Sequence, residues 1–195
     1  MIHAGGAHAP LRPESPIMKY VKILFLLSIA FGVFFYNSNW FQASFFPETY
    51  YQDICLAPFD VTRKNETITI PLKYGYDTCY RLAVAVPDKN IFHDNIIGPG
   101  DLMYRFVSKG QTLAKGHTRQ PSKQHLMLNN GTTSINILVF NLPFPGAGED
   151  LELQLTVHEP FHFLNAYKGR TFCKINADYN PKFGKCYNEE LMISD

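Results

Sequence analysis

The chain has 195 residues and a formal net charge of +1, with 18% charged and 46% hydrophobic residues, 16 of them Phe and 11 Tyr. So balanced a charge supplies no global electrostatic pull toward nucleic acid, and no nucleic-acid partner is expected. So apolar and aromatic a composition excludes a largely disordered chain.

Residues 1–17, MIHAGGAHAPLRPESPI, have no apolar periodicity and are rich in Gly, Ala and Pro, so a disordered leader is expected. Met18-Lys19-Tyr20-Val21-Lys22 places positive charge directly before an apolar run, as an export signal does, and translation is expected to begin at Met18. The run itself, Val21 to Tyr36, carries one charge, Lys22. Ala30-Phe31-Gly32 offers small residues for signal cleavage, but Val33-Phe34-Phe35-Tyr36 continues the apolar stretch past that point. An uncleaved anchor is therefore favoured, with secretion after cleavage as the alternative. Arg12, Lys19 and Lys22 precede the run, whereas Glu48 and Asp53 follow it, which places the N-terminus in the cytoplasm and the body outside. The expected location is a bacterial inner membrane, crossed once by residues 21–36, with the C-terminal domain in the periplasm.

The layout that follows is a leader at 1–17, a signal anchor or signal peptide at 18–40, an aromatic-rich tether at 41–52 and one domain at 53–195. About 150 residues after the apolar run suffice for a single domain with its own core. Thr67 to Leu72 alternates with Ile68, Ile70 and Leu72 on one face, and Pro71, which cannot donate to a ladder, places it at a sheet edge. Cys79 to Val86 alternates again. Leu102 to Ser108 and the strongly apolar Ser134 to Leu142 are further strands, the latter central. Leu151 to Val157 alternates without a break. The stretch after Pro160 and the segment around Cys173 are expected to complete the set. Short strands separated by Gly, Pro and Asn define an all-β fold, an antiparallel immunoglobulin-like β-sandwich preceded by one N-terminal hydrophobic helix.

Four cysteines, Cys55, Cys79, Cys173 and Cys186, all follow the apolar run. An even count in an exported segment points to two disulfides and an oxidising compartment. Of the three pairings, Cys55–Cys79 with Cys173–Cys186 is favoured because each closes a short loop; buried thiols are the alternative. Metal ligation by the four is disfavoured, since no C-x-x-C knuckle occurs.

His158-Glu159-Pro160-Phe161-His162 spells H-E-x-x-H, which binds zinc when both histidines project from one helix face. Pro160 inside the motif breaks that helix, so a strand end followed by a turn is expected instead. There is no G-x-S-x-G and no P-loop. The acidic pairs Glu149-Asp150 and Glu189-Glu190 read as solvating charges, and the sequons at Asn65 and Asn130 matter only in a eukaryotic secretory pathway. No catalytic residue, metal ligand or cofactor is assigned.

The asymmetric feature is charge. From Leu102 through Gly148 there is no Asp or Glu, while the interval holds Arg105, Lys109, Lys115, Arg119 and Lys123, with His117 and His125. Lys109 to Gln124 is expected to be a long polar loop, the usual place for a binding site on a β scaffold. Arg105, Lys109, Lys115, His117, Arg119 and Lys123 are the candidate partner-binding residues, for an acidic protein or anionic lipid headgroups.

Cys55-Leu56-Ala57-Pro58-Phe59-Asp60-Val61, the strand at Thr67 and then Cys79-Tyr80-Arg81-Leu82 resemble a family of small exported bacterial immunoglobulin-like proteins of unknown function. The resemblance covers residues 55–160 and implies a sandwich carried by a signal peptide or lipid anchor, although no lipid-attachment cysteine fits here. It supplies no catalytic residues. The expected function is binding to a protein of the cell envelope rather than turnover, in its most specific form an immunity protein that neutralises a toxic effector. Two alternatives stand beside it: a hydrolase or carbohydrate-active module built from scattered residues such as His158, His162 and Asp178, and a structural subunit of an envelope complex.

Overall fold

The computed structural model describes residues 16–93 and 97–193. Of the leader expected at residues 1–17, residues 1–15 lie outside them, while Pro16 and Ile17 belong to the first helix. The chain divides into two compact units, one ending at Ser38 and the other beginning at Asn39.

The first unit is one helix, α1 (Pro16–Tyr36), of 21 residues. Proline is tolerated where it opens a helix, because that N–H would have no partner anyway. The helix thus begins before the apolar run, and at 1.5 Å per residue spans about 32 Å, the thickness of a bilayer core. Its side chains from Ile17 to Tyr36 are all exposed. By length and composition Ile17–Tyr36 is suited to cross a membrane, and a signal sequence near an N-terminus meets the same criteria.

The second unit opens with two short helices, α2 (Asn39–Phe45) and α3 (Pro47–Tyr50). Residues 41–52, expected as an aromatic-rich tether, belong to the second compact unit. Gln42, Ala43 and Tyr50 are buried, the Tyr50 ring lies 4.6 Å from that of Tyr76, and Tyr51 Oη donates to the Tyr179 carbonyl at 2.8 Å. Of the aromatic side chains that suggest a bilayer surface, Tyr50 and Tyr51 pack on the domain itself, while Phe45 and Phe46 stay exposed.

Among the described residues nine strands follow: β1 (Cys55–Pro58), β2 (Thr67–Pro71), β3 (Thr78–Val86), β4 (Asp101–Ser108), β5 (Gln111–His117), β6 (Leu126–Asn129), β7 (Thr132–Leu142), β8 (Glu152–Glu159) and β9 (Phe172–Ala177). A small hairpin, β10 (Tyr179–Asn180) with β11 (Lys185–Cys186), comes after them. One sheet has the order β1-β9-β3-β7-β6 and the other β2-β8-β4-β5, and all their strand pairs are antiparallel. The antiparallel sandwich preceded by one hydrophobic helix is therefore the fold. Within it, β1, β9, β3 and β7 face β2, β8, β4 and β5, the double Greek key of an eight-stranded jelly roll, with β6 added at one edge. An immunoglobulin order would keep the first two strands as neighbours in one sheet, whereas here they fall in different sheets.

The strands expected around residues 67, 79, 102, 134 and 151 all form, and β2 with its Pro71 is an edge strand. Two expectations fail. The stretch after Pro160 is a 3-10 helix, His162–Tyr167, not a strand. Lys109 to Gln124 is not a long loop either. Lys109 (φ 51°) and Gly110 (φ 71°) form a two-residue turn between paired Ser108 and Gln111, and β5 follows at once. Two consecutive positive φ values are the type I′ geometry that matches strand twist. Asn130-Gly131 repeats it between β6 and β7, at φ 48° and 77°.

Alternate residues of both sheets meet in one core: Leu102, Tyr104 and Phe106 from β4 and Leu153, Leu155 and Val157 from β8, against Tyr80, Leu82 and Val84 from β3. Phe106 crosses the layer to Phe140 at 5.0 Å and stacks on Phe144 at 4.3 Å. Burying a side chain of this size stabilises by about 1.5–3 kcal/mol. The outward faces are left for function.

Candidate binding face of the four-stranded sheet

Because side chains alternate along a strand, the inward set of β4 and β8 fixes which residues point away from the core. On β4 these are Asp101, Met103 and Arg105. On β8 they are Gln154, Thr156 and His158, and on β5 Lys115 and His117. Adjacent strands bring them into rows. Arg105 pairs with Lys115 on one side and Gln154 on the other, and Met103 pairs with His117 and Thr156.

At the end of the face the register slips between Asp101 and Leu102, whose partners on β8 are Glu159 and Val157, so His158 is the extra residue of a bulge. The bulge brings His158 beside Asp101. Asp101 Oδ2 lies 2.5 Å from His117 Nδ1 and 3.2 Å from His158 Nδ1, and the two imidazole rings meet edge to face at 4.9 Å. The Asp101 side chain is 9% exposed, against 52% and 61% for the histidines. Behind it, Thr118 accepts from Leu102 N and donates its own N–H to Leu102 O, and its hydroxyl reaches Asp101 Oδ1 at 3.4 Å. Among the described residues this is the one group of three His, Cys, Asp or Glu side chains placed to share a metal ion.

The fold redistributes the charge asymmetry of the sequence. Asp150 closes the β4–β5 turn, accepting from Ser108 Oγ and Lys109 N at 2.6 Å each. These bonds, the Ser108 hydroxyl first, hold the Asp150 carboxyl below the usual carboxylate range. Asp101 meets His117, and Glu190 meets His125 at 2.8 Å. Arg105 and Lys115 have no carboxylate within ion-pair distance among the described residues; Arg105 instead forks onto Gln154 Oε1 at 3.0 and 2.7 Å.

The six candidate partner-binding residues therefore separate. Arg105, Lys115 and His117 share the face and Lys109 sits at its tip. Arg119 and Lys123 lie beyond β5, where Arg119 N donates to Ile137 O of the opposite sheet and Lys123 begins a 3-10 turn before β6. Beside Lys115 a cleft of about 330 Å³ opens at the β5 edge, walled by Leu113, Phe144, Pro145, Met192 and Ile193.

His158 lies within β8, next to its last residue, and His162 begins a 3-10 turn, so H-E-x-x-H presents no common helix face. Asp101 had no local motif to mark it. Only the pairing of β4 with both β5 and β8 gathers the two histidines, which are 41 residues apart in sequence.

The favoured disulfide pairing is replaced. Cys79 bonds Cys186 across 107 residues, while Cys55 and Cys173 are thiols. Preference for short loops ignored topology: β3 and β9 are neighbours, and the hairpin after β9 returns Cys186 to Cys79. By chain entropy the long loop is also the more stabilising, about 4.7 kcal/mol against about 3 for a short one. Cys55 and Cys173 lie on paired strands, where a sulfur–sulfur hydrogen bond lowers Cys55, and the same contact together with burial raises Cys173.

On the five-stranded sheet a second concavity, of about 500 Å³, is lined by Arg81, Lys174, Asn176 and Tyr187. Its cations are already matched, Arg81 by Asp178 at 3.3 Å and Lys174 by Asp53 at 3.3 Å. No family model, curated protein or solved structure matches the chain.

Proposed function

We propose that this is an exported binding protein, tethered through α1 to a bacterial inner membrane with its sandwich in the periplasm, and that the outer face of β8, β4 and β5 is the surface it offers to a protein partner. The carrying observation is the Arg105–Lys115 cross-strand pair. Like charges directly opposite each other destabilise a sheet, and among the described residues no carboxylate lies within ion-pair distance of this pair. An acidic partner would supply the missing charge, while the adjacent cleft with Leu113, Phe144 and Met192 suits one apolar anchor side chain. The partner is thus a protein segment in which acidic residues flank an apolar one. A toxic effector neutralised by this chain is the most specific form of the reading.

The disulfide supports an oxidising compartment, and the single apolar helix supports a signal or an anchor. The test is capture from envelope extracts with the full chain in mild detergent. A saturable partner should bind the wild type, weaken as salt is raised and be lost in Arg105→Glu/Lys115→Glu. A partner retained unchanged by that double variant overturns the assignment of the face.

A further inference from the structure

We infer that Asp101, His117 and His158 form a zinc-binding site on the end of this face. The inference stands apart from the protein-binding reading, since it uses neither Arg105 nor Lys115.

Three donors on a tetrahedral Zn²⁺, at Zn–N and Zn–O distances near 2.0–2.1 Å, stand about 3.3 Å from one another. The three donor atoms here all lie within 4.8 Å of one another. The Asp101 Oδ2–His158 Nδ1 separation is 3.2 Å, already the edge of such a tetrahedron. The Asp101–His117 pair, at 2.5 Å, opens by about 0.8 Å to match it, a small rotation for a half-exposed imidazole. Two imidazoles and one carboxylate are a donor set that suits Zn²⁺ better than Mg²⁺ or Ca²⁺, which prefer oxygen alone.

The support is rigid. Each ligand comes from a different strand of one continuous ladder, β8, β4 and β5, whose opposite face is the packed core. Gly100 and Gly116 allow that packing directly beneath the site. A Cβ at Gly100 would sit 2.5 Å from the Phe161 ring, and one at Gly116 2.7 Å from the Tyr104 hydroxyl. The Asp101 carboxylate is held from behind by Thr118, the outer-shell contact that orients a ligating carboxylate. Both histidines are more than half exposed, so the remaining coordination positions open to solvent. The site is built to take a fourth donor from outside: water, or a side chain of whatever docks on the face.

The experiment is competition between the full chain in detergent micelles and a chromogenic zinc chelator. It is run on the wild type, and on the Cys55→Ser chain alone and combined with His117→Ala, His158→Ala, Asp101→Asn or the control His162→Ala, so that the partly exposed thiol is tested separately. One equivalent of Zn²⁺ is expected, with a dissociation constant of about 10 µM or tighter. Each ligand variant should weaken it at least tenfold and the control leave it unchanged. Substitution with Co²⁺ should give a visible ligand-field band in the wild type that disappears in His117→Ala/His158→Ala. Far-UV circular dichroism identifies any variant that fails to fold; for Asp101→Asn the two histidine variants then decide. Substoichiometric binding, or binding that survives the double histidine variant, overturns the site, as does zinc lost only when Cys55 is replaced.

Discussion

Arg81 of β3 reaches Asp178, just beyond β9, at 3.3 Å, and the two side chains are 11% and 0% exposed. Burial raises the Asp178 carboxyl, opposed by the Asn188 backbone N–H and the Arg81 charge, and burial also lowers Arg81. Asp178 in addition accepts from Asn188 N at 2.9 Å and Nδ2 at 2.8 Å, fastening the segment that carries Cys186. Asp178→Ala leaves a buried guanidinium without its counter-charge and is expected to cost about 3–5 kcal/mol. Asp178→Asn keeps an acceptor for Asn188 and should cost less. Urea unfolding of the full chain in micelles measures both; losses below about 0.5 kcal/mol would show that the pair is not structural.

Gly100→Ala and Gly116→Ala test the close packing behind the zinc site. The added methyl meets Phe161 in one case and Tyr104 in the other. Overpacking of this kind costs about 1–3 kcal/mol. Gly75→Ala, where an added Cβ meets nothing within 4 Å, is the matched control. A control as damaging as the two site variants would refute the packing argument.

The thiols should differ in reactivity. Cys55 is partly exposed and its thiol is lowered by its contact with Cys173, which is buried and raised. On the native chain, iodoacetamide should modify Cys55 first and leave Cys173 until the chain unfolds. Peptide mass analysis reads both sites and the Cys79–Cys186 link. Removing that link by Cys79→Ser/Cys186→Ser should cost about 2–5 kcal/mol.

Acid should weaken the domain through Asp60, Asp88 and Asp150, whose carboxyls are all held low. For Asp150 the hydrogen bond from Ser108 leads, and for Asp88 the one from Asn90 N. At Asp60 burial alone would raise the group, but bonds from Thr62 and Gly169 outweigh it. A depressed carboxyl contributes stability above its unfolded value, about pH 4, and loses it as pH falls through the folded one. Thermal melting across that range should show an acid limb, shallower in Asp150→Asn. An unchanged limb would mean that the β4–β5 turn does not depend on that carboxylate.

Much of the sandwich was legible because period-2 alternation at Thr67–Leu72 or Leu151–Val157 reports directly which face is buried. What alternation cannot report is which strand lies beside which. Lys109 to Gln124 reads as a loop because the stretch is polar and Gly-containing, and β5 is too polar to announce itself. The cysteine pairing and the Asp101 cluster were hidden for a related reason: both depend on contacts between strands remote in sequence. Composition located the basic stretch, but the carboxylates that neutralise part of it, Asp101 and Asp150, lie just outside the acid-free interval.

The position of β9 between β1 and β3 sets the order in which the domain can be completed. The strand that joins the first and third is made of residues 172–177, so the five-stranded sheet stays open until the last of its strands has been made. The last cysteine, Cys186, comes later still. A chain emerging N-terminus first can therefore complete the four-stranded sheet, whose last strand ends at Glu159, before the five-stranded sheet can close over it. The two-layer body is closed only when β9 arrives between β1 and β3.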